Sequence, residues 1–257
     1  MKTVLSIAAS DPSGGAGIQA DLRAIFAHGL YGMAVPTALT VQNTLGVTGV
    51  LVLEPDFVAR QLRAVLSDIR PDAVKIGAMP GADHARSTAE LLREFGIANV
   101  VFDPVLASTS GAALCTVEAV ESLASCVSLL TPNLPEAAKL LGRDPAELAT
   151  PGRIEAAANE LAARFGTAIL LKGGHRTDGS FDDFFRPANG AGVWLPTRTA
   201  PPCGNHGTGC LLSSSIACGL ASGLSMLESI RRAKERLSDA LARGLSLGHG
   251  NGPVDFR

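Results

Sequence analysis

The sequence is poor in aromatic residues, which make up 4% of its 257 positions and include one tryptophan and one tyrosine. Its core must therefore rest on small and branched aliphatic side chains, the composition of strands alternating with Ala- and Leu-rich helices. Paired cysteine motifs are missing too. Cys115, Cys126, Cys203, Cys210 and Cys218 form no C-x-x-C, and the five histidines are scattered. That argues against a zinc framework or disulfide scaffold and makes a reducing cytoplasm the expected location. No excess of one charge exists either: the formal net charge is −2, with 18% of residues charged. Without a basic run or stripe, neither a nucleic acid nor an acidic membrane surface is expected as a partner. No apolar run approaches the roughly 20 residues that cross a bilayer. The short run Val4 to Ala9 leads straight into Ser10-Asp11-Pro12-Ser13-Gly14-Gly15. It lacks the length of a signal-peptide core and reads as a buried first strand.

What the chain does have is 46% hydrophobic residues, arranged as short apolar runs between segments of helical period. Strands are expected at 4–9, 73–76, 99–102, 127–130 and 168–172. Helices are expected at 18–28, 57–69, 83–95, 134–141, 154–165, 208–221 and 226–247. Nearly continuous apolar strands separated by helices predict an α/β fold, a mostly parallel sheet covered on both faces. Residues 181–186 and 192–195 read as a more exposed strand pair joined at Ala188-Asn189-Gly190. No repeat or long linker divides the chain, so 1–257 reads as one domain.

Several strand ends carry Gly, carboxylate or Lys groups. Gly207-Thr208-Gly209-Cys210 opens an Ala/Ser/Leu-rich helix. Glycines there allow close approach of backbone to a ligand, and free amides at a helix start hold phosphate oxygens. The plainer reading is a glycine-rich helix entry beside a packing cysteine. Cys210 in the first helical turn suits a thiol of lowered pKa, a base or a nucleophile. The segment from Asp11 to Asp21 follows the first strand, where open sheets collect ligands. It matches neither G-x-x-x-x-G-K-[ST] nor G-x-G-x-x-G, so a P-loop and a dinucleotide site both fit poorly. Asp21 reads equally as a solvated helix residue. In Thr131-Pro132-Asn133-Leu134-Pro135-Glu136, Asn133 is either a helix N-cap or, with Glu136, a neighbour of Mg²⁺. Lys172-Gly173-Gly174-His175 and Asp103-Pro104-Val105 end two further strands. Together these groups supply a cation, carboxylates, a base and a helix start, the parts that phosphoryl transfer needs.

The segments quoted above, with Gln42-Asn43-Thr44, Lys75-Ile76-Gly77, His206-Gly207-Thr208-Gly209-Cys210 and His249-Gly250-Asn251-Gly252-Pro253, span almost the whole chain. In combination they resemble the hydroxymethylpyrimidine/phosphomethylpyrimidine kinases, the thiamine-biosynthesis branch of the ribokinase-like superfamily. Cys210, where sugar kinases of that superfamily carry Asp, marks the branch. The resemblance implies a ribokinase-like fold, ATP and Mg²⁺ as cofactors, and a small pyrimidine as the substrate, phosphorylated first at its hydroxymethyl group and then at the resulting phosphate. It implies that Cys210 is the base, that the Gly207, Thr208 and Gly209 amides form the anion hole, and that Lys172, Asn133 and Thr208 face the nucleotide. Glu136 and Asp103 would serve the metal, and Asp21, Gln42, Ala9, Ala78 and Val105 the pyrimidine. A homodimer is implied as well. Ala9 and Ala78 depart from the residues usual in the family and imply a pocket of altered shape. Thr109-Ser110-Gly111 lacks a lysine common there, which implies a weaker phosphate contact. Pyridoxal or pyridoxine kinase activity is the nearest alternative, and a non-catalytic pyrimidine-binding homologue a second. A thiol-redox enzyme would need a resolving cysteine near Cys210.

Overall fold

The computed structural model describes residues 1–106, 114–174, 181–197 and 206–256. The strands are β1 (Thr3–Ser10), β2 (Tyr31–Asn43), β3 (Gly46–Val52), β4 (Ala73–Ile76), β5 (Val100–Phe102), β6 (Leu129–Leu130), β7 (Ala168–Leu171), β8 (Asp183–Arg186) and β9 (Val193–Leu195). They form one sheet in the order β3-β2-β1-β4-β5-β6-β7-β8-β9. Pairing is parallel from β2 through β7, and β3, β8 and β9 join antiparallel.

Both faces are covered because successive side chains of each inner strand point to opposite cores. Leu5, Ile7, Val74, Ile76, Val100 and Phe102 enter one core. Val4, Ala73, Val101, Ala168 and Leu170 enter the other. Helices α2 (Pro55–Asp68), α3 (Ala82–Glu94), α4 (Val117–Leu123), α5 (Leu134–Leu141) and α6 (Pro151–Phe165) pack on the first face. The opposite face carries α1 (Gly17–Ala27), α7 (Thr208–Ala221) and α8 (Met226–Arg243). Helix α7 is buried nearly all round. Its small residues permit this: a Cβ built on Gly219 would lie 2.7 Å from Ser229 Oγ of α8.

The strands and helices that periodicity predicts arise close to their expected places, with α8 ending at Arg243 rather than 247, while the short helix α4 (Val117–Leu123) has no predicted counterpart. Periodicity predicts no strand over 31–52, where β2 and β3 lie. Gly32 and Pro36 interrupt the apolar pattern of β2, and the β1–β2 register shifts just past Pro36, which has no N–H to give to the ladder. Edge strand β3 is largely exposed and holds Gly46 and Gly49, so its pattern is weak.

The chain leaves β1 for β2 on one side and later returns to β4 on the other. In an open sheet such a switch in strand order leaves a crevice beyond the carboxyl ends of the strands, the usual ligand site.

Candidate active site

A cleft of about 750 Å³ lies at that crevice. Its floor begins with the turn after β1. Asp11 is buried and binds its own loop: Oδ1 accepts from the Ser13 amide (2.9 Å) and Ser13 Oγ (2.7 Å), and Oδ2 from the Ala16 amide (2.8 Å). The imidazole of His206 reaches the same oxygen, with Nε2 at 3.0 Å. Burial works to raise the Asp11 pKa, but the bonds from His206, Ser13 and Ala16 outweigh it and hold the carboxyl below its ordinary value. The Gln42 carboxamide lies 3.3 Å from the same ring nitrogen, and Thr40 Oγ1 is 3.0 Å from Gln42 Oε1.

His206 is held from behind by the C-terminal segment. Its amide donates to Gly252 (3.2 Å), its carbonyl accepts from Val254 (3.1 Å), and the Asn251 amide donates to Thr44 (2.8 Å). The close approach of two turns explains the glycines. Gly207 has φ +87°, and a Cβ there would sit 2.0 Å from the Gly15 carbonyl oxygen. Helix α7 starts directly after it, with the Leu211 amide donating to the Gly207 carbonyl (2.8 Å). The amides from Gly207 to Cys210 therefore have no partner within the helix and open onto the cleft.

Asp21 is a correction to the sequence reading. It does not line the cleft, nor is it solvated: it is fully buried beneath it. Its Oδ2 accepts from Ser6 Oγ (2.6 Å) and Lys75 Nζ (2.8 Å), and its Oδ1 from Ser214 Oγ (2.9 Å). Both oxygens are engaged and the carboxylate is sealed from solvent, so it reaches the cleft only through Lys75, which lines it. Burial alone would lower the Lys75 pKa, but Asp21, Cys210 and Asp103 together raise it and keep the ammonium charged.

The expectation of an acidified Cys210 is corrected as well. Burial pushes its thiol up to about 11, and the Asp21 and Asp103 carboxylates add to that, against the opposing Lys75 charge and a hydrogen bond from the Gly17 amide. The helix start is outweighed chiefly because the sulfur is buried, where a thiolate loses its hydration.

Across the cleft, Lys172 Nζ donates to Asp103 Oδ1 at 2.7 Å, and Thr131 Oγ1 donates to the same oxygen at 3.1 Å. The other oxygen faces α7: a Cβ on Gly209 would stand 2.9 Å from Asp103 Oδ2. Asn133 and Glu136 form a reciprocal cap on α5, the Glu136 amide donating to Asn133 Oδ1 and the Asn133 amide to Glu136 Oε2, both at 2.8 Å. The plainer reading of Asn133 as a cap thus holds, yet both side chains also line the cleft. Glu136 Oε2 stands 4.0 Å from Lys172 Nζ. Burial raises the Glu136 pKa to about 7, with Asp103 adding to the rise and Lys172 opposing it.

Of the residues singled out from sequence, Ala9, Gln42, Ala78, Asp103 and Val105 line the cleft, as do Asn133, Glu136, Lys172 and Gly207 to Cys210. His175, Cys203, Asn205 and Thr109-Ser110-Gly111 lie outside the described residues. The lining groups missed as site residues include Lys75, His206, Lys139 and Lys234. Lys75 and His206 stood in quoted motifs without a role of their own. Lys234 carries no local signal, because a lysine on an amphipathic helix reads as surface; here it pairs with Asp183 and donates to Thr197 Oγ1 at 2.7 Å. Among the described residues no three His, Cys, Asp or Glu side chains converge as a metal cage. The Asp103 and Glu136 carboxylates instead suit a hard cation that takes one or two protein oxygens and completes its shell with phosphate and water.

The sequence profile of the phosphomethylpyrimidine kinase family matches residues 11–255. The chain is 44% identical to the hydroxymethylpyrimidine/phosphomethylpyrimidine kinase of Escherichia coli (strain K12), over 97% of this chain and 95% of that protein. A crystal structure of the phosphomethylpyrimidine kinase of Clostridium difficile 630 superposes with a TM-score of 0.79 at 35% identity, covering 93% of this chain and 99% of that one. The pyridoxal kinase of Staphylococcus aureus, solved with AMP-PCP and pyridoxal, superposes with a TM-score of 0.89 at 30% identity, covering 100% of this chain and 93% of that one.

Proposed function

Because the chain belongs to the phosphomethylpyrimidine kinase family, we propose that it transfers phosphate from ATP to 4-amino-5-hydroxymethyl-2-methylpyrimidine and then to the resulting monophosphate, as a step of thiamine biosynthesis. The observation that carries this reading is the meeting of the free α7 amides, Cys210 and the Asp103–Lys172 pair in one cleft. Phosphoryl transfer is mostly positioning and charge stabilisation, and these are groups of that kind.

Lys172 and the amides of Gly207, Thr208, Gly209 and Cys210 receive the phosphate oxygens. Asp103 and Glu136 hold Mg²⁺, which neutralises charge on the phosphates when bound. The Asn133 side-chain oxygen is used by the cap, while its Nδ2 group remains as a donor to the nucleotide. On the β1–β2 side the Gln42 carboxamide, whose Oε1 accepts from Thr40 Oγ1, meets the ring nitrogen and amino edge of the pyrimidine as paired donor and acceptor. Ala9, Ala78 and Val105 bound the ring.

Cys210 takes the proton of the hydroxymethyl group. A thiol that ionises near 11 is rarely in its base form at neutral pH, but each thiolate formed is a stronger base than ordinary cysteine. The Lys75 ammonium and the Gly17 amide stabilise it as it forms. The second acceptor is a phosphate monoester, already ionised at pH 7, and needs no base.

A coupled ADP-release assay with the pyrimidine, its monophosphate and pyridoxal as acceptors tests the reading. Turnover of both pyrimidines is expected to exceed that of pyridoxal; turnover of pyridoxal alone would favour the pyridoxal kinase reading, which the likeness to the Staphylococcus aureus enzyme motivates.

A further inference from the structure

Four lysines line the cleft, and three are already neutralised: Lys75 by Asp21, Lys172 by Asp103 and Lys234 by Asp183. The fourth is Lys139 of α5, one helical turn beyond Glu136. It is exposed, and among the described residues no carboxylate lies within ion-pair distance of its ammonium. Glu136 turns away from it to accept the Asn133 amide. Outside the cleft lining, its charge adds a minor contribution favouring the ionised forms of Cys115 and Glu118.

Its place in the sheet gives this charge a use. Gln42 and Ala78 lie towards one end of the strand order and Lys234 and Asp183 towards the other, while α5 follows β6 near the middle. A phosphate already carried by the acceptor must lie between the ring and the incoming donor, in mid-cleft. Lys139, carried by α5, lines this cleft together with Leu106 and Leu114. An uncharged hydroxymethyl acceptor offers this ammonium nothing.

We propose that Lys139 is a specificity-determining residue that binds the phosphate of the phosphorylated acceptor and so favours the second transfer. This rests on the pyrimidine kinase reading above. A hydrogen bond between charged groups of this kind corresponds to about a tenfold change in affinity. Screening by salt weakens it, because the ammonium is exposed.

The test compares steady-state kinetics of the unaltered protein, Lys139→Ala and Lys139→Arg, with the pyrimidine and with its monophosphate, at low and moderate salt. Lys139→Ala is expected to raise KM for the monophosphate about tenfold relative to that for the pyrimidine. Lys139→Arg restores most of the difference, and salt raises the monophosphate KM of the unaltered protein more than that of Lys139→Ala. An equal change for both acceptors, a rise confined to the KM of ATP, or no change would overturn the assignment. If the unaltered protein phosphorylates neither pyrimidine, the functional reading itself falls and takes this inference with it; an active protein indifferent to Lys139→Ala overturns the inference alone.

Discussion

At Cys210 the residue type was legible and its environment was not. The sequence places a thiol in the first turn of a helix, which by itself acidifies it. Burial under segments from distant parts of the chain reverses the sign and pushes the thiol up to about 11, with Asp21 and Asp103 adding to the rise. The consequence is a pH dependence that differs between the two transfers. If a thiolate accepts the hydroxymethyl proton, the first transfer quickens as pH rises from 7 toward 10, by up to tenfold per unit while the thiol remains mostly protonated. The second transfer lacks that dependence. Glu136 and the nucleotide serve both steps, so the ratio of the two rates isolates Cys210. Cys210→Ala is expected to slow the first transfer by about 10²–10⁴ and the second far less. Equal losses in both, from initial-rate measurements with each acceptor, would remove the base from the account. Asp21 carries the same lesson: one helical carboxylate looks solvated in sequence, and only its meeting with Lys75, Ser6 and Ser214 shows it sealed beneath the cleft.

Among the elements, α5 shows how a structural and a ligand-facing role share one residue. The N-cap chemistry of Asn133-Leu134-Pro135-Glu136 was legible, because Asn at the cap, Pro in the first turn and Glu at the third position suit only a helix start. That the cap opens on the cleft depends on β6 and β7 lying side by side, which brings Asn133 beside Lys172. Asn133→Ala is expected to cost about 1 kcal/mol of stability in urea unfolding. Asn133→Ser keeps an accepting oxygen for the Glu136 amide and is expected to restore that stability while still raising KM for ATP several-fold, since it lacks the amide donor. Recovery of both by serine would leave Asn133 a cap alone. Strands β2 and β3 mark the limit of periodicity as a signal: a proline, scattered glycines and one exposed edge hide a strand 13 residues long.

For the whole molecule, the alternation of strands with helices predicted the parallel sheet, and the sheet explains why loops far apart in sequence meet. The switch from β2 to β4 across β1 brings the turn at Asp11, the C-terminal segment and the start of α7 to one crevice. The buried Asp21–Lys75 pair ties α1 to β4 beneath it, with Ser214 of α7 joined to the same carboxylate. Removing one member leaves an uncompensated buried charge, so Asp21→Ala is expected to destabilise the fold by about 3–5 kcal/mol in urea unfolding. A loss below about 1 kcal/mol would show that water reaches Lys75 and that the pair is not sealed. The account as a whole claims two successive phosphoryl transfers to one pyrimidine in this cleft. Its most direct test is a ³¹P NMR time course with Mg-ATP and 4-amino-5-hydroxymethyl-2-methylpyrimidine. The account predicts that a monophosphate resonance rises first and then gives way to a diphosphate as ADP accumulates; ATP left intact, or phosphate appearing only when pyridoxal is supplied instead, would contradict it.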